Sequence, residues 1–87
     1  MAVVVDDSIP VGDILSEIRN AAGDLLETVE LFDLYRGEQI AAGKKSLAFS
    51  MTYRSYKRSL ESEEVIEIQD KIASHLKERF KAEIREG

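Results

Sequence analysis

The sequence predicts an α+β fold, and three observations predict it. Two stretches, Val11 to Ala22 and Val65 to Phe80, carry apolar residues at spacings of three and four, the period of a helix with one buried stripe. The runs around them are rich in Val, Leu, Phe and Tyr and alternate like strands. At 87 residues, there is room for one domain, spanning 1–87, and one modest core.

The elements follow in order along the chain. Met1 to Val5 reads as a short buried strand, and Asp6 to Pro10 as a loop of turn residues. Val11, Ile14, Leu15, Ile18 and Ala22 mark the first helix, which Gly23 terminates. Leu25 to Arg36 is a long strand-forming stretch, Gly37 to Gly43 a hairpin loop, and Lys44 to Arg54 a third strand. Ser55 to Ser62 is a polar connection into the second helix, whose stripe is Val65, Ile68, Ile72, Leu76 and Phe80. Glu61, Glu63, Glu64 and Glu67 crowd its first turns and Lys77, Arg79 and Lys81 its end, which suits the helix dipole. Ala82 to Arg85 can form a last strand. Strand, helix, strand, strand, helix, strand is the order of a ferredoxin-like split βαβ sandwich: a four-stranded antiparallel sheet with two helices on one face. Right-handed crossovers put both helices on that one face and leave the other open.

Alternation then assigns the two sheet faces. In the third strand, Leu47, Phe49, Met51 and Tyr53 face the helices, while Lys44, Ser46, Ala48, Ser50, Thr52 and Arg54 face outward. In the second strand, Phe32 and Leu34 are expected in the core, with Leu31, Asp33 and Tyr35 outside. In the first, Val3 and Val5 are core, and Ala2 and Val4 are open. Cross-strand partners share a face, which pairs Tyr35 with Ser46, Asp33 with Ala48 and Phe32 with Phe49. The open face becomes a floor of small residues (Ala2, Ser46, Ala48, Ser50) with one ring, Tyr35, on its edge strand. A flat ligand can approach such a floor. Tyr35 offers it a stacking surface, Asp33 and Ser46 offer polar partners for a base edge, and Arg36, Lys44 and Lys45 at the hairpin end can hold phosphates.

Charge supports that reading locally rather than globally. From Arg36 to Arg58 there are six cations and one anion, Glu38; this segment is +5, which leaves −10 for the rest of a chain whose total is −5. There is no cysteine, so a disulfide framework and a thiolate metal site are both excluded, and a reducing cytoplasmic setting is expected. The opening apolar run, Met1 to Val5, is too short for a signal peptide or a membrane span, so no membrane partner is expected.

No catalytic constellation can be assembled. His75 is the single histidine and has no second histidine or cysteine with which to share a metal. Glu63, Glu64 and Glu67 read as an acidic helix start rather than a metal cluster. Asp6 and Asp7 are loop residues without an acid–base partner. Gly12, Gly23, Gly37 and Gly43 are too dispersed for a phosphate loop. This chain is therefore expected to carry no catalytic residue, no metal and no cofactor. An alternative from a different class is a sensor or protein-interaction domain that uses the open sheet face or an edge strand.

"VELFDLYRGEQIAAGKKSLAFSMTYRS" resembles the C-terminal ferredoxin-fold anticodon-binding domain of bacterial phenylalanyl-tRNA synthetase β subunits. The specific part is F-D-x-Y-x-G, a glycine-ended loop, then G-K-K-S-L-A-F-S. The upstream "PVGDILSEIRNAAGDLL" and the downstream "EEV" match as well, so the resemblance covers nearly the whole chain. It implies an excised C-terminal domain that binds the anticodon stem-loop of tRNA(Phe). It further implies that a tyrosine matching Tyr35 stacks on the first anticodon base, that residues matching Asp33 and Ser46 hydrogen-bond it, and that Ala2 lies at the same site. The implied partners are the rest of the β subunit and its α subunit. The parent would be an ATP-dependent phenylalanine–tRNA ligase that uses magnesium at a centre absent from this chain. Two departures are visible: Glu61 stands where the family has a threonine helix cap, and "KAEIREG" differs from the family's glycine–alanine–x–leucine–arginine ending. A general RNA-recognition domain of this topology fits less well, because its third-strand aromatics face the ligand, whereas Phe49 and Tyr53 have core parity.

Overall fold

A computed structural model describes residues 1–37, 40–54 and 62–85. Strand β1 (Ala2–Asp6) leads into helix α1 (Val11–Ala22), a single 3₁₀ turn (Gly23–Leu25), strands β2 (Leu26–Tyr35) and β3 (Lys44–Tyr53), helix α2 (Ser62–Phe80) and strand β4 (Glu83–Arg85). The sheet order is β2-β3-β1-β4 and every neighbouring pair is antiparallel, so the predicted ferredoxin-like α+β topology is the one observed. The connection expected over 55–62, with Glu61 at the second helix cap and the cations Lys57 and Arg58, lies outside the described residues apart from the first helical position. So does Glu38 in the hairpin.

The helices form where the apolar stripes lie. In α1, Ile14, Ile18 and Ala21 are buried; in α2, Ile68, Ile72 and Leu76 are buried. Both stripes close on Val3, Val5, Val29, Leu47 and Phe49 of the sheet to make one core. Gly23 ends α1 with φ +69°, a left-handed backbone that favours glycine, and its N–H bonds the Arg19 carbonyl. Across the helix pair, Glu17 on α1 accepts from His75 Nδ1 at 3.1 Å and lies 3.6 Å from Arg79 Nε. His75 therefore ties α1 to α2.

The sheet corrects two sequence expectations. Leu34, expected in the core, pairs with Leu47 on the helix-facing side but is 38% exposed on the edge strand and stands outside the core. The other correction is at Phe32. Leu31 pairs with Phe49 and Asp33 pairs with Ala48, which leaves Phe32 without a partner. Phe32 sits in a β-bulge, where two residues of one strand oppose one of the other. Simple alternation put Phe32 in the core opposite Phe49 and Leu31 outside. Instead, Leu31 packs against the core and Phe32 is 68% exposed. The extra residue exchanges the two faces at that point. Beyond it the alternation resumes in the expected phase, so Asp33 and Tyr35 remain on the open side. A second irregularity leaves Glu27 unpaired near the start of β2, where its carboxylate lies 3.1 Å from Arg54 Nη1.

The burial pattern predicts the stability of face-swapped variants. Phe49 is only 2% exposed, and Phe49→Ala should lose about 3–5 kcal/mol in urea unfolding. Phe32→Ala should change stability by about 0.5 kcal/mol or less. Comparable losses for the two would contradict the bulge.

A pH dependence follows from Tyr53. Burial raises its phenol above the ordinary 10.0, and a hydrogen bond with Gln69 offsets part of that. The fold therefore favours the neutral phenol. Its contribution is fully present below about pH 10 and is lost as pH rises further, because the unfolded chain ionises first. Thermal unfolding between pH 8 and about 11 should show that decline, less steeply in Tyr53→Phe.

Candidate functional site

The register builds the open face row by row. Tyr35 pairs with Ser46, Ser46 with Val4, and Val4 with Glu83. In the next row, Asp33 pairs with Ala48, Ala48 with Ala2, and Ala2 with Arg85. Four residues singled out from sequence, Ala2, Asp33, Tyr35 and Ser46, thus fall within two adjacent rows on one side of the sheet. Val4 shares this side yet is only 7% exposed, since it sits on an inner strand with neighbours on both flanks. The floor is low because its residues are small, and Tyr35 stands at its margin, 45% exposed.

Gly37 is a positioning residue that sequence reasoning left unassigned. A Cβ built there would lie 2.5 Å from the Tyr35 Oη and 2.8 Å from its Cζ. Only a residue without a side chain lets the phenol rest against the backbone of the turn. The Y-x-G spacing, taken from sequence as a turn signal, thus also sets where the tyrosine ring lies.

The three cations assigned to phosphates separate in the structure. Lys44 lies on an open-face row opposite Asp6. Arg36 is exposed, and its Nε donates to Asp7 Oδ1 at 2.7 Å. Such an exposed pair adds little to stability. It does fix the direction of the guanidinium and engages one nitrogen of three. Asp7, set aside from sequence as a loop residue without an acid–base partner, is what holds Arg36. Lys45 does not join them. It pairs with Val5 on the helix-facing side, is 5% exposed, and donates from Nζ to the carbonyls of Ile9 at 2.6 Å and Asp7 at 3.1 Å. Its charge closes the β1–α1 loop inside the fold, as a buried ammonium requires.

No group of three or more His, Asp or Glu side chains that could hold a metal occurs among the described residues. No helix among them is long and apolar enough to cross a membrane. The open face carries stacking, hydrogen-bonding and cationic groups, which suit binding a flat polar ligand.

The ferredoxin-fold anticodon binding domain family matches residues 1–85. Phenylalanine–tRNA ligase β subunits from Clostridium tetani, Corynebacterium glutamicum and Haemophilus influenzae are 49%, 48% and 40% identical to this chain over 85, 85 and 86 residues. These matches cover 98–99% of this chain and 10–11% of each relative, so the chain spans about a tenth of the length of the relatives it matches. The resemblance read from F-D-x-Y-x-G and G-K-K-S-L-A-F-S is thereby borne out.

Lys45 supplies a test of the geometry. Lys45→Met should lower folding stability by about 1–3 kcal/mol in urea unfolding, because the carbonyls of Asp7 and Ile9 lose the donor that joins them to β3. A neutral outcome would mean that the ammonium is not held inside.

Proposed function

This chain belongs to the ferredoxin-fold anticodon-binding domain family, and from that premise we propose that it is the module of a phenylalanine–tRNA ligase β subunit that binds the anticodon stem-loop of tRNA(Phe). The module works in trans to a catalytic centre elsewhere, on an ATP- and magnesium-dependent ligase assembled with an α subunit in the cytoplasm. Its own task is binding. Tyr35 stacks on the first anticodon base. Asp33 accepts from donors on the edge of that base, and the Ser46 hydroxyl donates or accepts beside it. Ala2 and Ala48 leave the base room to lie close to the sheet. Arg36, aimed by Asp7, and Lys44 meet the phosphates at the hairpin end.

The observation that carries this reading is the pairing of Tyr35 with Ser46, with Asp33 one row away opposite Ala48. A ring, an acceptor and a hydroxyl stand together on a face that no helix among the described residues covers. Unpaired anticodon bases are splayed and can be stacked and read on their edges in this way.

The test is a titration of the chain with tRNA(Phe) and with an anticodon-substituted control, at two salt concentrations. Tyr35→Ala should weaken binding to the cognate RNA about 5- to 150-fold, which corresponds to roughly 1–3 kcal/mol for one stacked base. Affinity should fall with salt as phosphate contacts release counterions. Equal weak binding to both RNAs, unchanged in Tyr35→Ala, would favour a protein-interaction domain instead.

A further inference from the structure

We propose that Phe32 is a second stacking platform, which takes an unpaired base beside the one held by Tyr35; this rests on the tRNA-binding reading above. Three observations converge on it. First, Phe32 is the most exposed of the large hydrophobic side chains among the described residues, at 68%. Its ring adds almost nothing to the core, so packing does not account for it.

Second, a local device puts it there. The bulge leaves Phe32 unpaired between the Leu31–Phe49 and Asp33–Ala48 pairs. Bulges re-aim side chains and are over-represented beside functional sites. Unbroken pairing would have turned the ring into the core opposite Phe49. The extra residue releases it while Leu31 fills the core position.

Third, the surroundings suit a base. Phe32 and Asp33 together oppose Ala48, whose row continues to Ala2. Ser50, the next outward residue of β3, is small and exposed. A planar group can therefore lie low against the sheet with the Phe32 ring at its margin. Phe32 is three residues from Tyr35, so the two residues lie at most about 10 Å apart, Cα to Cα, along the strand. They flank Asp33, which has the acceptors that base amino groups need. The charged residues nearest in β2 are Glu30 and Asp33, not cations, so this end of the site favours a base face over a phosphate. Every base has such a face, so the contact tolerates sequence changes.

A protein partner fits these observations less well. Leu34, half-exposed on the same strand, pairs with Leu47 on the helix-facing row, and the exposed Ile66 lies on α2. The exposed apolar side chains therefore do not merge into one patch around Phe32. A ring beside a carboxylate and small residues, with a second ring at Tyr35, is a stacking geometry rather than an apolar dock.

The experiment uses the 87-residue chain and the anticodon stem-loop of tRNA(Phe), with 2-aminopurine replacing the base next to the first anticodon base. Affinity, fluorescence and thermal midpoint are measured for the wild type, Phe32→Ala, Phe32→Leu, Phe32→Tyr and Tyr35→Ala. Phe32→Ala and Phe32→Leu should bind about 5- to 150-fold more weakly and lose the fluorescence quenching of the bound probe, with thermal midpoints unchanged. Phe32→Tyr should keep both affinity and quenching. In Tyr35→Ala, the probe should remain quenched at saturation. Wild-type affinity in Phe32→Ala or Phe32→Leu, with Tyr35→Ala weakened, would overturn the Phe32 inference and leave the anticodon reading intact. A wild-type chain that binds no RNA would sink both.

Discussion

Antiparallel pairing between β2 and β3 is the constraint from which the rest of the molecule follows. A strand has only two faces, and a shift of one residue exchanges them. Helices α1 and α2 need one face of the sheet, because their Ile and Leu stripes must close on something apolar. Leu31, Phe49, Leu47 and Val3 meet that need. What the helices do not need is left as the open face, and its composition is free to serve a ligand. Ser46 joins Asp33 and Tyr35 because the β2–β3 register brings it there, not because it is near them in sequence.

The bulge at Phe32 shows how a local irregularity can leave a site intact. An extra residue placed after Asp33 would have split Asp33 from Tyr35 across the sheet. Placed before it, the same residue shifts the faces of Phe32, Leu31 and the residues upstream, bringing Val29 into the core, and delivers the two polar positions in phase. At the other end of the hairpin, Gly37 allows the Tyr35 phenol to settle on the turn. Lys45 closes the β1–α1 loop from beneath, and Asp7 in that loop reaches Arg36. Two adjacent residues of β3, Lys44 and Lys45, thus have opposite employments, one at the surface and one as an internal clasp. The same alternation that separates the faces of the sheet separates them.

Most of the fold was legible in the sequence because its signals are strong and local. The helix stripes, Gly23 and the glycine-bounded hairpin each specify an element without reference to the others. The open-face residues were legible because alternation is a rigid rule on a regular strand. It failed only where the strand is not regular: Phe32 is as apolar as any core residue, and nothing in "ELFDLY" marks an insertion. The roles of Asp7 and Gly37 were hidden for another reason. Both depend on contacts that exist only after folding: one from the β1–α1 loop to the end of β2, the other from a ring back onto its own turn. Lys45 had the parity of a core residue, and its charge argued for the surface; two backbone carbonyls resolve that conflict.

The central claim, that the face left bare by the helices is the RNA-binding face, is tested most directly by mapping chemical shifts. The chain, isotopically labelled, is titrated with the unmodified anticodon stem-loop of tRNA(Phe), and the shifted amide and aromatic signals are placed on the sheet. The account predicts saturable shifts at Ala2, Asp33, Tyr35, Ser46 and Ala48, with Ile18 and Ile72 beneath the sheet unmoved. Shifts concentrated on the outer surfaces of α1 and α2, with the Tyr35 and Ser46 signals still, would contradict it.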